Sequence, residues 1–285
     1  ATADILTGGR MIFGVGRGYH TREVEVFGNP IIDGDANREL FEEQVEVIMK
    51  AFNQESFSHH GKHYDIPPDV PYRGYDLKEI TLVPRPVNPV ETWQPVVSAS
   101  ERGLNFMAKH GIKGVIGGGA ATGGAAATVL TAWQETQAKY GIETELGGNV
   151  ILGLSYHIAE TVEKAIEEAR PFYEENMKMF APLGFVRGLT DEQLDALGDP
   201  KRAPRAGLPT LEEAVESGSW MCGPPELLIE KLEAIGEALP GLVEVNMGNP
   251  VGTPQSVLLE QLEAFGTEVM PHFKGKVLAD APADD

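Results

Sequence analysis

Apolar residues along the chain come in two alternating arrangements: short, nearly unbroken runs, and longer stretches where they return every three or four positions. The first suits a strand buried on both faces, and the second an amphipathic helix. Residues 11–15 (MIFGV) are a short apolar run, and residues 38–52 then place Leu40, Phe41, Val45, Ile48, Met49 and Phe52 at helical spacing. Residues 57–66 alternate around a Gly-Lys turn and read as a surface hairpin. A proline-rich connection leads to a second strand at 95–98 (PVVS), followed by a helix at 104–110 that Gly111 stops. The pattern repeats as a strand at 113–116 with a helix at 125–140, and a strand at 149–157 with a stripe of Val162, Ala165, Ile166 and Ala169. It recurs last as a strand at 242–247 and a helix with Thr253 as cap, Pro254 at its first position, and Leu258, Leu262, Phe265 and Val269 on one face. Five strand–helix units can be counted. Between the fourth and fifth, residues 182–220 are poorly periodic and read as an insertion with two short capped helices, at Thr190/Gln193 and Thr210/Glu213; a further helix opens at GPPE, residues 223–226.

Strands alternating with helices predict a parallel sheet clothed by helices. A doubly wound sheet and a (β/α)8 barrel both fit, and at 285 residues a single domain spanning 1–285 is expected. In either architecture ligands collect at the carboxyl ends of strands, so the residues just after each strand are the ones to inspect.

Charge narrows the partners. The chain has 43 acidic and 23 basic residues, net −20, and such a field repels nucleic acid and anionic membranes. Any anionic ligand needs a local site. The lone cysteine, Cys222, forbids an internal disulfide and fits a cytoplasmic setting. The uncharged run 114–134 is glycine-rich and too weakly apolar to span a bilayer, and no signal segment opens the chain.

After the first strand comes Gly14-Val-Gly16-Arg17-Gly18-Tyr19-His20, which lacks the third glycine of a dinucleotide fingerprint and the lysine of a phosphate loop. Its alternating glycines let a ligand approach the backbone, and Arg17 offers a planar fork for phosphate; a tight turn with Arg17 in a structural ion pair is the other reading. After the second strand, Ser98-Ala99-Ser100-Glu101-Arg102-Gly103 runs into a helix, and two hydroxyls, free amides and a guanidinium suit a dianion, although Ser100 could serve only as a cap. Glycines 117–119 give room for a flat ring or mark a tight turn. His20 and His157, at strand ends, are the candidate proton-transfer residues, with a simple hydrogen bond as the alternative; no catalytic residue is identified. His59, His60 and His63 sit on the hairpin, where solvation rather than metal binding is expected. Neither a G-x-S-x-G elbow nor a strand-end lysine or carboxylate pair is visible, which leaves acyl transfer, aldolase and isomerase chemistry unsupported.

The stretch GRMIFGVGRGYHTREVEVFG, residues 9–28, resembles the bacterial luciferase-like flavin monooxygenase family around its fourth strand. R-x-x-F-E-E at 38–43, FSHHGKHYDI, PVVSASERGLNFMAKHG, GPPELLIEKLEAI and TPQSVLLEQLEAFGTEVMPHF follow in the family's order. The resemblance implies a (β/α)8 barrel of the TIM type that uses reduced FMN, supplied by a separate flavin reductase, and O2 to oxidise a small organic substrate such as an aldehyde, alkane or terpenoid. By position it assigns the phosphate of that cofactor to Arg17, Ser98, Ser100, Arg102 and Gly103, and cofactor binding also to Gly16, Gly18, Tyr19 and Ala99. It also implies three further strand–helix units before Ala1, so the chain is expected to be an N-terminally incomplete fragment with about five of eight units. A homodimer is expected by the same resemblance, and a lid formed by residues 182–220 by analogy with lids in other barrels. Gly118 stands where the luciferases carry a tryptophan, which favours a monooxygenase over a light emitter. Two alternatives accompany this reading: an oxidoreductase of the same superfamily using the deazaflavin coenzyme F420, and a non-catalytic flavin-binding partner subunit.

Overall fold

The computed structural model describes residues 1–69, 71–117, 124–181, 183, 185–186, 189–197, 199 and 201–274. Two compact units make up the chain: Ala1–Pro95 with Ser100–Gly114, and Val96–Ala99 with Val115–Asp285.

In the first unit, β1 (Ile12–Gly14) is followed by α1 (Gly34–Asn53), whose cap Asp33 accepts from the N–H groups of Asp35 and Ala36. The next strand, β2 (Glu91–Pro95), runs parallel to β1 with Ile12 opposite Glu91 and Gly14 opposite Trp93. This strand lies a few residues before the expected 95–98. Thr92 and Trp93 are buried within it, and of the two valines of the expected run Val96 is buried while Val97 is exposed. After β2 comes α2 (Glu101–Lys109), which ends before Gly111 at φ +64°. The apolar stripes of α1 and α2 meet through Phe41 and Phe106, 6.0 Å apart. Burying one such ring contributes about 1.5–3 kcal/mol, and ion pairs from Arg102 to Glu42 and Lys109 to Glu46 flank the contact.

The hairpin forms as expected, His59–His60 against Asp65–Ile66, with a second small one at Pro71–Tyr72 and Tyr75–Asp76. Its histidines are not uniformly solvated. His59 is buried, because Glu43 of α1 reaches up to its Nε2 at 3.0 Å.

The chain leaves the first unit within β3 (Lys113–Ile116) and continues as α3 (Gly124–Lys139). In the second unit the nine-residue β4 (Val150–Ile158) has Leu152 and Tyr156 fully buried and is followed by α4 (Val162–Phe180), capped by Thr161. It pairs in parallel with β5 (Trp220–Gly223) and with β6 (Glu244–Gly248). β5 is a sixth strand, at the point where the sequence reading ended an insertion. Its four residues are all buried, so they show no alternation, and a run that short has no period to detect. It leads into α5 (Pro225–Ala238).

After β6, α6 (Gln255–Ala264) begins one residue later than its sequence suggests. Pro254 is the cap, and the Thr253 hydroxyl, the expected cap, is instead turned back to donate to Pro250 O at 2.8 Å. The α6 side chain of Gln261 clamps the end of β4: its Oε1 accepts from Ile158 N–H at 2.6 Å and its Nε2 donates to Ile158 O at 3.0 Å.

The expected insertion does hold two short helices, Asp191–Leu197 and Leu211–Glu216, and each expected cap pair is reciprocal, Thr190 with Gln193 and Thr210 with Glu213. Its later part is anchored: Leu211, Ala214 and Trp220 pack with Ala165, Ala169, Tyr173 and Met177 of α4, and Tyr173 donates to Pro209 O at 2.8 Å. Among the described residues no helix is long and apolar enough to cross a membrane. Gly118, Gly119 and Pro182 lie outside the described residues.

Candidate active site

Within the first unit, the loop after β1 and the first turns of α1 and α2 converge. Gly18 has φ +79°, and a Cβ there would stand 2.3 Å from Val24 Cγ2, so the turn requires glycine. Gly16 has open space around it and no such constraint. Between them Arg17 is locked at two points. Its Nη1 donates to Asn37 Oδ1 at 2.9 Å, and its carbonyl accepts from Asn37 Nδ2 at 3.2 Å. Asn37 is buried in the first turn of α1, so it fixes both the loop and the guanidinium.

Arg38, the next residue of α1, puts its Nη1 4.0 Å from Glu42 Oε1. The same carboxylate takes two bonds from Arg102 of α2, from Nε at 3.1 Å and Nη2 at 2.7 Å. Ser100 caps α2, its Oγ accepting from Gly103 N–H at 3.5 Å. A Cβ on Gly103 would lie 3.3 Å from Arg38 Nη1 and 3.7 Å from Ser100 Oγ, so the absence of a side chain at Gly103 lets the Arg38 guanidinium lie against the opening turn of α2.

Arg38, Arg102 and the Glu42 carboxylate therefore flank a helix N-terminus whose first N–H groups have no partner inside the helix, and Arg17 lies close enough to Arg38 and Glu42 to interact with both charges. Burial and the charge of Arg38 lower the Arg17 pKa, with Glu42 opposing. The hydrogen bond with Glu42 raises Arg102, assisted by the more distant Asp35 and Glu39. Positive potential that is neither fully paired nor fully solvated is what a dianion would relieve.

Of the residues singled out in the sequence, the structure gathers Arg17, Ser100, Arg102 and Gly103 in this cluster. Gly16, Gly18 and Tyr19 share the Arg17 loop. Tyr19 is exposed, and its hydroxyl, bonded to Glu23, is pushed up in pKa. Ser98 and Ala99 are exposed and belong to the second unit. Arg102 is not free, since Glu42 holds it. His20 caps the short helix Thr21–Val24: its Nδ1 accepts from Arg22 N–H at 3.1 Å, which places the proton of a neutral ring on Nε2. His157 is buried in β4, where its Nε2 lies 3.2 Å from Glu168 of α4 beside the ring of Phe172, a strand-to-helix contact. Among the described residues no three metal-ligating side chains cluster.

Asn37, Arg38 and Glu42 were missed by inspecting strand ends alone. The visible signal was an Arg38/Glu42 pair at i,i+4 just inside a helix start.

Residues 1–240 match the profile of the luciferase-like monooxygenase family. The fold is similar to that of the monooxygenase RslO1 from Streptomyces bottropensis, with TM-score 0.70 at 14% identity over 96% of this chain and 72% of that one. It is also similar to the oxygenating constituent of 3,6-diketocamphane monooxygenase from Pseudomonas putida, solved with FMN, with TM-score 0.68 at 18% identity over 94% and 72%. An F420-dependent secondary alcohol dehydrogenase with an F420–acetone adduct gives TM-score 0.62 at 15% identity over 95% and 72%. These likenesses establish the α/β fold of the TIM-barrel type. Among curated sequences, a 65-residue segment is 35% identical to the protein y4vJ of Sinorhizobium fredii; it covers 23% of this chain and only 18% of that protein's length.

Proposed function

This chain belongs to the luciferase-like monooxygenase family, and from that premise we propose that it is a flavin-dependent oxidoreductase, in the finer reading a monooxygenase that takes reduced FMN and O2 to a small organic substrate. The observation that carries the proposal is the clustering of Arg17, Arg38 and Arg102 around Glu42, with Arg38 against the Ser100-capped first turn of α2 at Gly103. The donor set fits a phosphate monoester: guanidinium forks, a serine hydroxyl and helix-end N–H groups all complement oxyanions. Three cations favour a dianionic monoester, as in FMN, over the singly charged diester of a deazaflavin coenzyme.

When bound, reduced flavin would supply the electrons and the place where oxygen is activated. The chain's own contribution is binding and orientation. Asn37 holds Arg17 rigid, Glu42 prevents Arg38 and Arg102 from repelling each other apart, and Gly18 sets the loop that carries Arg17.

Arg17→Ala is expected to weaken FMN by about 1.5–3 kcal/mol, the size of a charge-assisted hydrogen bond, while riboflavin, which lacks the phosphate, binds both proteins equally. Titration of wild type and variant with FMN and riboflavin, followed by flavin fluorescence, checks this. Unchanged FMN affinity in a folded Arg17→Ala variant removes the assignment. The absorbance spectrum of the cofactor retained on purification separates flavin from deazaflavin.

A further inference from the structure

In the second unit, the insertion forms an open pocket of about 500 Å3. Its lining includes Lys201, Arg202 and Arg205 together with Thr190, Glu192 and Gln193. Cavities of this size hold small-molecule ligands.

The cations are the unusual feature. Many basic side chains of this acidic chain are neutralised in pairs, as in Lys62 with Glu39, Lys113 with Glu91 and Lys178 with Glu175, and others stand singly; here three cations line one pocket. Among the described residues, Lys201, Arg202 and Arg205 form no ion pair at all. An adjoining cavity of about 340 Å3, which shares Ala206 and Gly207 with the first, provides an internal contrast. Its own cations, Arg170 and Lys178, are satisfied by Glu212 and Glu175. The absence of pairing is therefore a property of one cavity, not of the region.

The backbone arranges this deliberately. Ala203–Arg205 is a 3-10 turn with Arg202 at its cap, and in such a turn residues three apart project from the same side. Arg202 and Arg205 thus leave the turn in one direction. Asp199, the nearest acid in sequence, is occupied elsewhere: its Oδ1 accepts from Lys201 N–H at 2.8 Å and its carbonyl from the N–H groups of Arg202 and Ala203. The Thr190–Gln193 part of the lining is fixed too, since the Gln193 side chain accepts from Thr190 N–H and donates to Gly207 O. Three like charges facing one concavity, with Glu192 as the only acid in its lining, repel one another unless an anion joins them.

We propose that this cavity is a second anion site, distinct in composition from the Arg17 cluster, that binds a phosphorylated small molecule of charge −2 or greater through Lys201, Arg202 and Arg205. The guanidinium forks recognise the phosphoryl oxygens, Lys201 adds a point charge, and the Thr190 hydroxyl is available as a donor.

The test uses the intact chain and inorganic pyrophosphate, with acetate as a monoanion control. Hydrogen exchange is followed on peptides covering residues 190–207. Pyrophosphate is expected to slow exchange there at least fivefold in wild type and in Arg17→Ala/Arg38→Ala, and to have no effect in Lys201→Ala/Arg202→Ala/Arg205→Ala. The three side chains are exposed, so the triple variant retains its core. Glu192→Gln, which removes the one acid from the wall, is expected to bind pyrophosphate severalfold more tightly by calorimetry. Equal protection by acetate, protection that persists in the triple variant, protection that disappears in Arg17→Ala/Arg38→Ala, or a weaker Glu192→Gln would each overturn the proposal.

Discussion

Replacing Glu43 by glutamine tests how the first unit holds its hairpin. The carboxylate sits buried in the middle of α1 and accepts five contacts: His59 Nε2 at 3.0 Å, Lys62 N–H at 3.2 Å, His63 N–H on both oxygens at 3.0 Å, and Tyr64 N–H at 2.8 Å. Lys50 Nζ approaches His59 Nδ1 at 3.4 Å and can only donate, so the imidazole proton is on Nε2 and points at the carboxylate. Burial alone would raise the Glu43 pKa, but the bond from His59 and those from the Tyr64 and His63 N–H groups outweigh it and bring it down from 4.5 to about 2. The folded pKa is depressed, so the unfolded chain binds the extra proton, and the stabilisation is complete above about pH 4.5 and fades as pH falls toward 2. At about 1.4 kcal/mol per pH unit, the ceiling is roughly 3 kcal/mol. Glutamine keeps the shape but turns an N–H2 group toward N–H donors, and about 2–3 kcal/mol should be lost at pH 7. Urea unfolding followed by tryptophan fluorescence, with Trp93 reporting from the same unit, measures the loss. The gap between wild type and Glu43→Gln should fall to roughly half by pH 3 and nearly close at pH 2. A gap that is the same at pH 3 and pH 7 would refute the reasoning, because the carboxylate charge would then not be the source of the stability.

Two further substitutions probe single contacts. Gly18→Ala forces a side chain into a φ of +79° and against Val24 Cγ2, and should cost about 1–3 kcal/mol by thermal unfolding; Val24→Ala should recover the steric part but not the backbone part, and full recovery would show that φ is not a constraint. Gln261→Ala strips the end of β4 of both of its Ile158 bonds in a buried site, and should cost about 2–4 kcal/mol by denaturant titration; a loss under about 0.5 kcal/mol would mean that water replaces the clamp.

What could be read from the sequence, and what could not, divides by distance along the chain. The period of α1, the Gly111 stop and the reciprocal Thr210/Glu213 cap are set by residues within a turn of each other, so local spacing exposes them. Arg102 and Glu42 are 60 positions apart, and Glu43 and His59 are 16 apart. No spacing rule anticipates those partners, because only the packing of α1 against α2 and the hairpin brings them together. The same reasoning explains why His59 read as solvated. A histidine at a hairpin tip is exposed by default, and the helix that buries it leaves no mark nearby in the sequence. β5 failed differently: all four of its residues are buried, so the alternation that marks a half-exposed strand is erased by the burial itself. For the candidate sites this has a definite consequence. In a chain of net −20 nearly any basic residue can find a carboxylate, so a cation's place in the sequence says little about its role, whereas its pairing state in the fold says a good deal. Arg17, tied to the neutral amide of Asn37 rather than to an acid, lies beside Arg38, and Lys201, Arg202 and Arg205, with no acidic partner among the described residues, line one pocket; these are two places where the fold gathers cations without neutralising each of them.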